Sequence, residues 1–88
     1  MSVRERIEQK LRQAFRPEAL EVVDESERHR GHGGWREGGE THFHVRMTSA
    51  AFAGEGRVQR QRAVNRVLAD ELADRVHALG LTLKAPGE

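Results

Sequence analysis

Val3, Ile7, Leu11, Ala14 and Phe15 recur at the three- and four-residue intervals that line up apolar side chains on one face of a helix. Ser2 stands ahead of them with Glu5 three residues on, a capping-box pattern that satisfies unpaired N–H groups at a helix start. Pro17 disfavours helical geometry at Arg16, so the helix is predicted to stop there. The β-branched stretch ALEVVDES predicts a strand from about Leu20 to Glu25. Residues 26–39 are too polar and too rich in glycine for a regular element and read as a long loop. In ETHFHVRMTS the alternation is strict. Phe43, Val45 and Met47 face one way, while His42, His44, Arg46 and Thr48 face the other, which predicts a half-buried strand with both rings on the open sheet face. SAAFAGEG reads as a turn or short helix, and Val64, Val67, Leu68, Leu72, Val76 and Leu79 predict one long helix from Arg57 to Leu79, with Gly80 as its C-cap. LTLKA completes the pattern as a last strand, and residues 85–88 are expected to fray.

The resulting order is αββααβ, counting the short turn as a helix. Two consecutive strands form a hairpin, and a right-handed crossover through the long helix places the third strand parallel to the second. The expectation is one α+β domain over residues 1–88, with a three-stranded mixed sheet and helices on one face, an arrangement similar to type II KH domains. The crossover returns the helix end to the sheet edge where the second strand starts. His77 is therefore expected near Glu40, His42 and the loop bearing His29 and His32.

Composition narrows the chemistry. Fifteen basic and fourteen acidic residues give a formal charge of +1, so there is no global field for a phosphate backbone or an anionic membrane. No stretch approaches the length that spans a bilayer, and the expectation is a soluble, cytoplasmic protein. The chain has no cysteine, which rules out a thiol nucleophile and a self-sufficient thiolate metal site within it. Four of its five histidines and its single tryptophan, Trp35, fall within residues 26–44. Neutral imidazole is a good ligand for zinc or iron, so His29, His32, His42, His44 and His77 are the candidate donors, though two of them make at most half a tetrahedral shell. GHGG at residues 31–34 matches the GxxG of KH loops nominally, but it joins two strands rather than two helices. Arg57, Arg60, Arg62 and Arg66 open the long helix and are candidate nucleic-acid contacts, against an ordinary solvated face. Asp70, Glu71 and Asp74 fit routine charge pairing along that helix, as between Arg66 and Asp70. Trp35 either anchors the loop or presents a binding hot spot. There is no nucleophile elbow, phosphate-binding loop or paired carboxylate motif, and an enzyme is not expected.

LEVVDES, His29, ETHFHV, FAGEGRVQRQRAVNRVLADEL and VHAL, taken in order, resemble the BolA family across essentially the whole chain. The resemblance implies the BolA αββααβ domain and a partnership with a monothiol glutaredoxin, sharing a [2Fe-2S] cluster completed by the glutaredoxin cysteine and glutathione. No cofactor is then expected on the isolated chain, which would be a monomer or a weak homodimer. Some members are also described as transcriptional regulators, so DNA is the alternative partner. The family's ligand positions map to His77 in VHAL and to His29 after DESER, with His32 as the rival loop donor. Histidine pairs can replace two cysteines at one iron, as in Rieske centres. Relatives commonly carry Arg-His-Arg where this chain has Arg60-Gln61-Arg62, so any role of that third histidine does not carry over.

Overall fold

The computed structural model describes residues 2–26 and 39–88. Helix α1 (Val3–Phe15) begins at Ser2 with a complete capping box: the Ser2 side chain accepts from the Glu5 backbone N–H, and the Glu5 carboxylate accepts from the Ser2 backbone. It ends where Pro17 predicts, with Arg16 in the left-handed region at φ 44° and its N–H returned to the Arg12 carbonyl. Strand β1 (Ala19–Asp24) pairs antiparallel with β2 (His42–Thr48), and β2 pairs parallel with β3 (Ala78–Lys84) in the order β1-β2-β3. The expected three-stranded mixed sheet is therefore present, with β2 at its centre.

The register decides what each face carries. Val22 lies opposite Val45, and Val45 opposite Leu81, so one face is apolar along all three strands. It packs on Ile7 and Leu11 of α1 and on Phe52, Val64 and Leu68, which together with Phe43 and Met47 form one buried cluster. The other face is polar. Glu21 stands opposite Arg46 there in an exposed ion pair at 3.5 Å. Ser49 closes β2 by donating to the Phe15 carbonyl at 2.6 Å, and its hydroxyl accepts from Ala51 to start a 3₁₀ turn (Ala50–Phe52).

The long helix is corrected. Helix α2 (Arg57–Val67) breaks at Leu68, a separate turn α3 (Ala69–Ala73) follows, and the chain leaves helical geometry at Asp74, where φ is −107° and ψ −101°. Leu79 and Gly80 belong to β3, which begins three residues earlier than LTLKA suggests and pairs with β2 along all of β2. A full ladder beside the central strand outweighs one more helical turn, and the apolar spacing of Leu72, Val76 and Leu79 suits the crossing either way. Gly80 is a strand glycine rather than a cap: a Cβ there would lie 2.6 Å from His44 Nδ1. Residues 85–88, expected to fray, are instead pinned. Ala85 is buried, its N–H donates to Glu88 Oε1 at 3.0 Å, and the Glu88 carboxylate accepts two hydrogen bonds from Arg60 at 2.6 and 2.7 Å.

Glu71 is corrected as well. It is 2 % exposed and faces α1, where Arg6 Nη2 donates at 2.8 Å and Lys10 Nζ at 2.9 Å. Asp70 likewise pairs with Lys10, at 3.7 Å, across the helix contact rather than along its own helix. Burial alone would raise the Glu71 carboxyl, but the Lys10 hydrogen bond and the charges of Lys10 and Arg6 outweigh it and hold the group below its usual value.

Glu71→Ala is expected to lower the unfolding free energy at neutral pH by about 1–3 kcal/mol, less than for a fully enclosed pair because Arg6 and Lys10 can rehydrate. A depressed folded-state pKa means that the Glu71 contribution is complete above the unfolded carboxyl value of about 4.3 and is lost as pH falls through the folded one. Urea unfolding of parent and variant at pH 7 and pH 3 checks both statements: the gap between them narrows in acid.

Candidate metal centre

The ends of β1, β2 and the α3–β3 connection meet in a polar knot in which Ser26, Thr41 and His42 are buried. Asp24, last in β1, accepts from the Ser26 backbone at 2.9 Å and the Ser26 hydroxyl at 2.5 Å with one carboxylate oxygen, and from the Glu40 backbone at 3.1 Å with the other. Ser26 Oγ in turn accepts from the Thr41 backbone at 2.9 Å, and Glu25 N–H donates to the His42 carbonyl at 2.7 Å. Gly39 and Glu40 both adopt positive φ, a tight turn that carries Glu40 Oε1 to the open N–H of Val3 at the start of α1, at 3.1 Å. Arg75 clamps the Gly39 carbonyl through Nε and Nη2 at 3.0 and 2.7 Å. Both described ends of the glycine segment, Ser26 and Gly39, are thereby held.

His77 reaches the same place. It lies on the connection just before β3 rather than on a helix, and its backbone N–H donates to the Thr41 carbonyl at 2.7 Å. Thr41 sits between Glu40 and His42, so the expected closeness of His77 to those two residues is met, by a strand start instead of a helix end. The His77 ring is exposed, and its centre lies 5.4 Å from that of His42 with the planes 52° apart. His42 departs from expectation. It is 4 % exposed rather than on an open face, and its Nδ1 meets Thr41 Oγ1 at 2.8 Å. Its burial was not visible in the strand alternation, since the His77 ring beside it comes from the far end of the crossover. His44 is half-buried further along, with Nε2 at 2.9 Å from Thr82 Oγ1. His29, His32 and Trp35 lie outside the described residues.

Among the described residues no three His, Cys, Asp or Glu side chains are grouped to hold a metal ion. What the knot offers is an exposed imidazole on a rigid backbone, a second ring beside it, and the two anchored ends of a histidine-bearing segment. With no thiol in the chain, that donor set suits a metal whose remaining ligands come from elsewhere.

The basic helix start is less available than the sequence suggests. Arg57, Arg62 and Arg66 are exposed, but the Arg60 side chain is only 12 % exposed. Its guanidinium holds the Glu88 carboxylate, donates to the carbonyls of Glu55 at 2.9 Å and Leu83 at 3.3 Å, and lies 5.9 Å from the Phe52 ring centre. A cavity of about 480 Å³ lined by Glu55, Arg57, Arg60, Gln61, Leu81, Thr82 and Leu83 runs beside it and contains no histidine. Among the described residues no helix is long and apolar enough to cross a membrane.

A protein-family profile described as BolA-like protein matches residues 11–88. The DNA-binding transcriptional regulator BolA of Escherichia coli is 51% identical over 81 residues, covering 92% of this chain and 73% of that protein. An uncharacterized protein in a cobS 5′ region of a Sinorhizobium species is 52% identical over 89 residues, covering 100% of this chain and 96% of that one. Among solved structures, the BolA domain of SufE1 from Arabidopsis thaliana superposes with a TM-score of 0.86 at 40% identity, covering 98% of this chain and 94% of that one.

The Arg60 hydrogen bonds, a backbone donor at Ala85 and nearby positive charge hold the Glu88 carboxyl down at about 2. Carboxyl-detected NMR titration is expected to show that value in the parent, and a rise toward the ordinary glutamate value of about 4.3 in Arg60→Ala, stopping short of it because the Ala85 N–H and Lys84 remain.

Proposed function

The chain belongs to the BolA family, and from that premise we propose that it is a non-enzymatic iron-sulfur adaptor that shares a [2Fe-2S] cluster with a monothiol glutaredoxin. The observation that carries the reading is the hydrogen bond from His77 N–H to the Thr41 carbonyl, which fixes an exposed imidazole against the anchored mouth of the histidine-bearing segment. His77 would be one ligand and His29 the other, with His32 as the alternate loop donor. Each would bind iron through a neutral ring nitrogen. The partner's cysteine and glutathione would complete the shell, since this chain supplies no thiolate. Such a cluster would supply redox-sensitive iron that another protein can accept or read. The role of this chain is to hold its imidazoles in place while one side of the iron pair is left to the partner. The cytoplasm is the corresponding setting.

A second reading is supported by a specific finding, the 51% identity to a regulator named as DNA-binding. Exposed Arg57, Arg62 and Arg66 would contact phosphates, whereas Arg60 would first have to release Glu88.

His77→Ala is expected to change the visible absorption and circular dichroism of the co-purified glutaredoxin complex while the far-ultraviolet signal of the domain is retained. An unaltered visible spectrum rejects the cluster reading. For DNA, Arg62→Ala and Arg66→Ala are each expected to reduce the slope of log affinity against log salt by about one unit, whereas absence of binding at low salt rejects that reading.

A further inference from the structure

Arg62 and Arg66 stand four residues apart on one face of α2, both exposed. Like charges at that spacing repel along a helix. Nothing offsets them: Asp70, the acid one turn beyond Arg66, is drawn to Lys10 of α1 instead at 3.7 Å, and among the described residues neither guanidinium has an ion-pair partner. Arg57 does not belong with them, because it is turned to the other side of α2, where it lines the cavity beside β3.

The two arginines border a separate cleft of about 340 Å³ between the end of α1, the 3₁₀ turn and α2. Its apolar lining includes Ala63 and the Phe15–Phe52 pair, whose ring centres are 5.2 Å apart. Arg60, the third arginine at the cleft, is already neutralised by Glu88. Val58, one turn before Arg62 on the same helix, is 52 % exposed, more than any other large apolar side chain among the described residues. The cleft also lies away from His77: β2 runs for about 20 Å from the polar knot to Thr48, and only then does Ser49 seal onto the Phe15 carbonyl.

Two occupants could answer a pair of unpaired cations. A duplex backbone is a track of phosphates and calls for a track of cations, but only two unneutralised arginines border this cleft, Glu55 lines it as well, and the formal charge of the chain is +1. A protein segment with carboxylates beside apolar side chains matches the arginines, the aromatic lining and Val58 together. Four residues of helix rise about 6 Å, so acids four apart on a second helix match the spacing of Arg62 and Arg66.

We propose that this cleft is a docking surface for an acidic amphipathic helix of another protein, its carboxylates on Arg62 and Arg66 and its apolar side chains on Val58 and the Phe15 side of the cleft. The proposal requires neither the cluster nor DNA. It gives the domain a second contact at the opposite end of β2 from His77, so that two partners can be held at once.

The probe is a labelled synthetic amphipathic helix of glutamate, leucine and alanine, with glutamates four apart beside a leucine stripe, and fluorescence anisotropy with the full chain reads its affinity. Arg62→Ala, Arg66→Ala and Val58→Ser are each expected to weaken binding about threefold, and the double arginine variant about tenfold, whereas Arg57→Ala and His77→Ala change it less than about 1.5-fold. All five positions are exposed, and far-ultraviolet circular dichroism checks that each variant is folded. Binding is expected to weaken as salt is raised and to be absent for a peptide with lysine in place of glutamate. In amide spectra of the unsubstituted chain, the probe is expected to shift Ala51, Arg62, Ala63 and Arg66 and to leave Thr41 and His77 in place. Absence of binding at low salt, equal loss in Arg57→Ala, or shifts centred away from the cleft overturns the proposal. So does a DNA duplex that displaces the probe and is weakened equally by Arg57→Ala, Arg62→Ala and Arg66→Ala but not by Val58→Ser: the arginines then form a phosphate surface. Probe binding as expected, with a glutaredoxin spectrum indifferent to His77→Ala, overturns the cluster reading and leaves this one standing. The opposite pair of results does the reverse.

Discussion

The Asp24 carboxylate is the constraint from which the functional end of the molecule is built. It sits where β1 stops and accepts from both sides of the hairpin mouth, from Ser26 on the outgoing chain and from Glu40 on the returning one. Without such an acceptor the part-buried Ser26 N–H would lose its partner and the two ends of the glycine segment would lose the group that joins them. Every later feature depends on this closure. Thr41 is held by Ser26, the His77 backbone docks on Thr41, and β3 enters the sheet at Ala78 immediately afterwards. The sheet and the candidate site thus share one anchoring point, and the crossover that completes the fold also delivers the exposed imidazole.

Local signals were readable in the chain, and signals that depend on a distant partner were not. Ser2 with Glu5, Pro17 after Arg16, and the alternation of Phe43, Val45 and Met47 each act through neighbouring residues, and each element they predict is present. The crossover was misread because Leu72, Val76 and Leu79 satisfy a helical period whether or not the backbone is helical there. What decides the matter is pairing with β2, which no local pattern reports. Gly80 looked like a cap for the same reason, whereas its lack of a side chain answers the His44 ring across the ladder. Glu71 offered a signal that could have been used: it follows Leu68 by three residues and so falls on the buried stripe of its own turn, with Arg6 and Lys10 flanking Ile7 and Leu11 on the helix it faces.

The same division applies to the site. His77 could be placed near Glu40 and His42 from topology alone, since a parallel crossover must return to the strand's starting edge. His42 could not be recognised as buried, because the alternation within its strand does not report a ring such as His77 brought beside it from the crossover. The arginine run shows the opposite error. Four basic residues at a helix start look like a single patch, yet Arg60 faces inward to Phe52, Leu83 and Glu88 while its neighbours face solvent.

The inward turn of Arg60 bears on self-association. Lys84 directs its carbonyl to Ser49 on the β2 side, so the preceding carbonyl, that of Leu83, points outward from the sheet, and Arg60 occupies it. An incoming strand seeking to extend the sheet past β3 would meet a guanidinium where it needs a free acceptor. Exposed strand edges nucleate polymers, and a cation seated on one is a common safeguard. Arg60 thus gives this small domain a built-in stopper against fibril growth along an outer margin of its sheet.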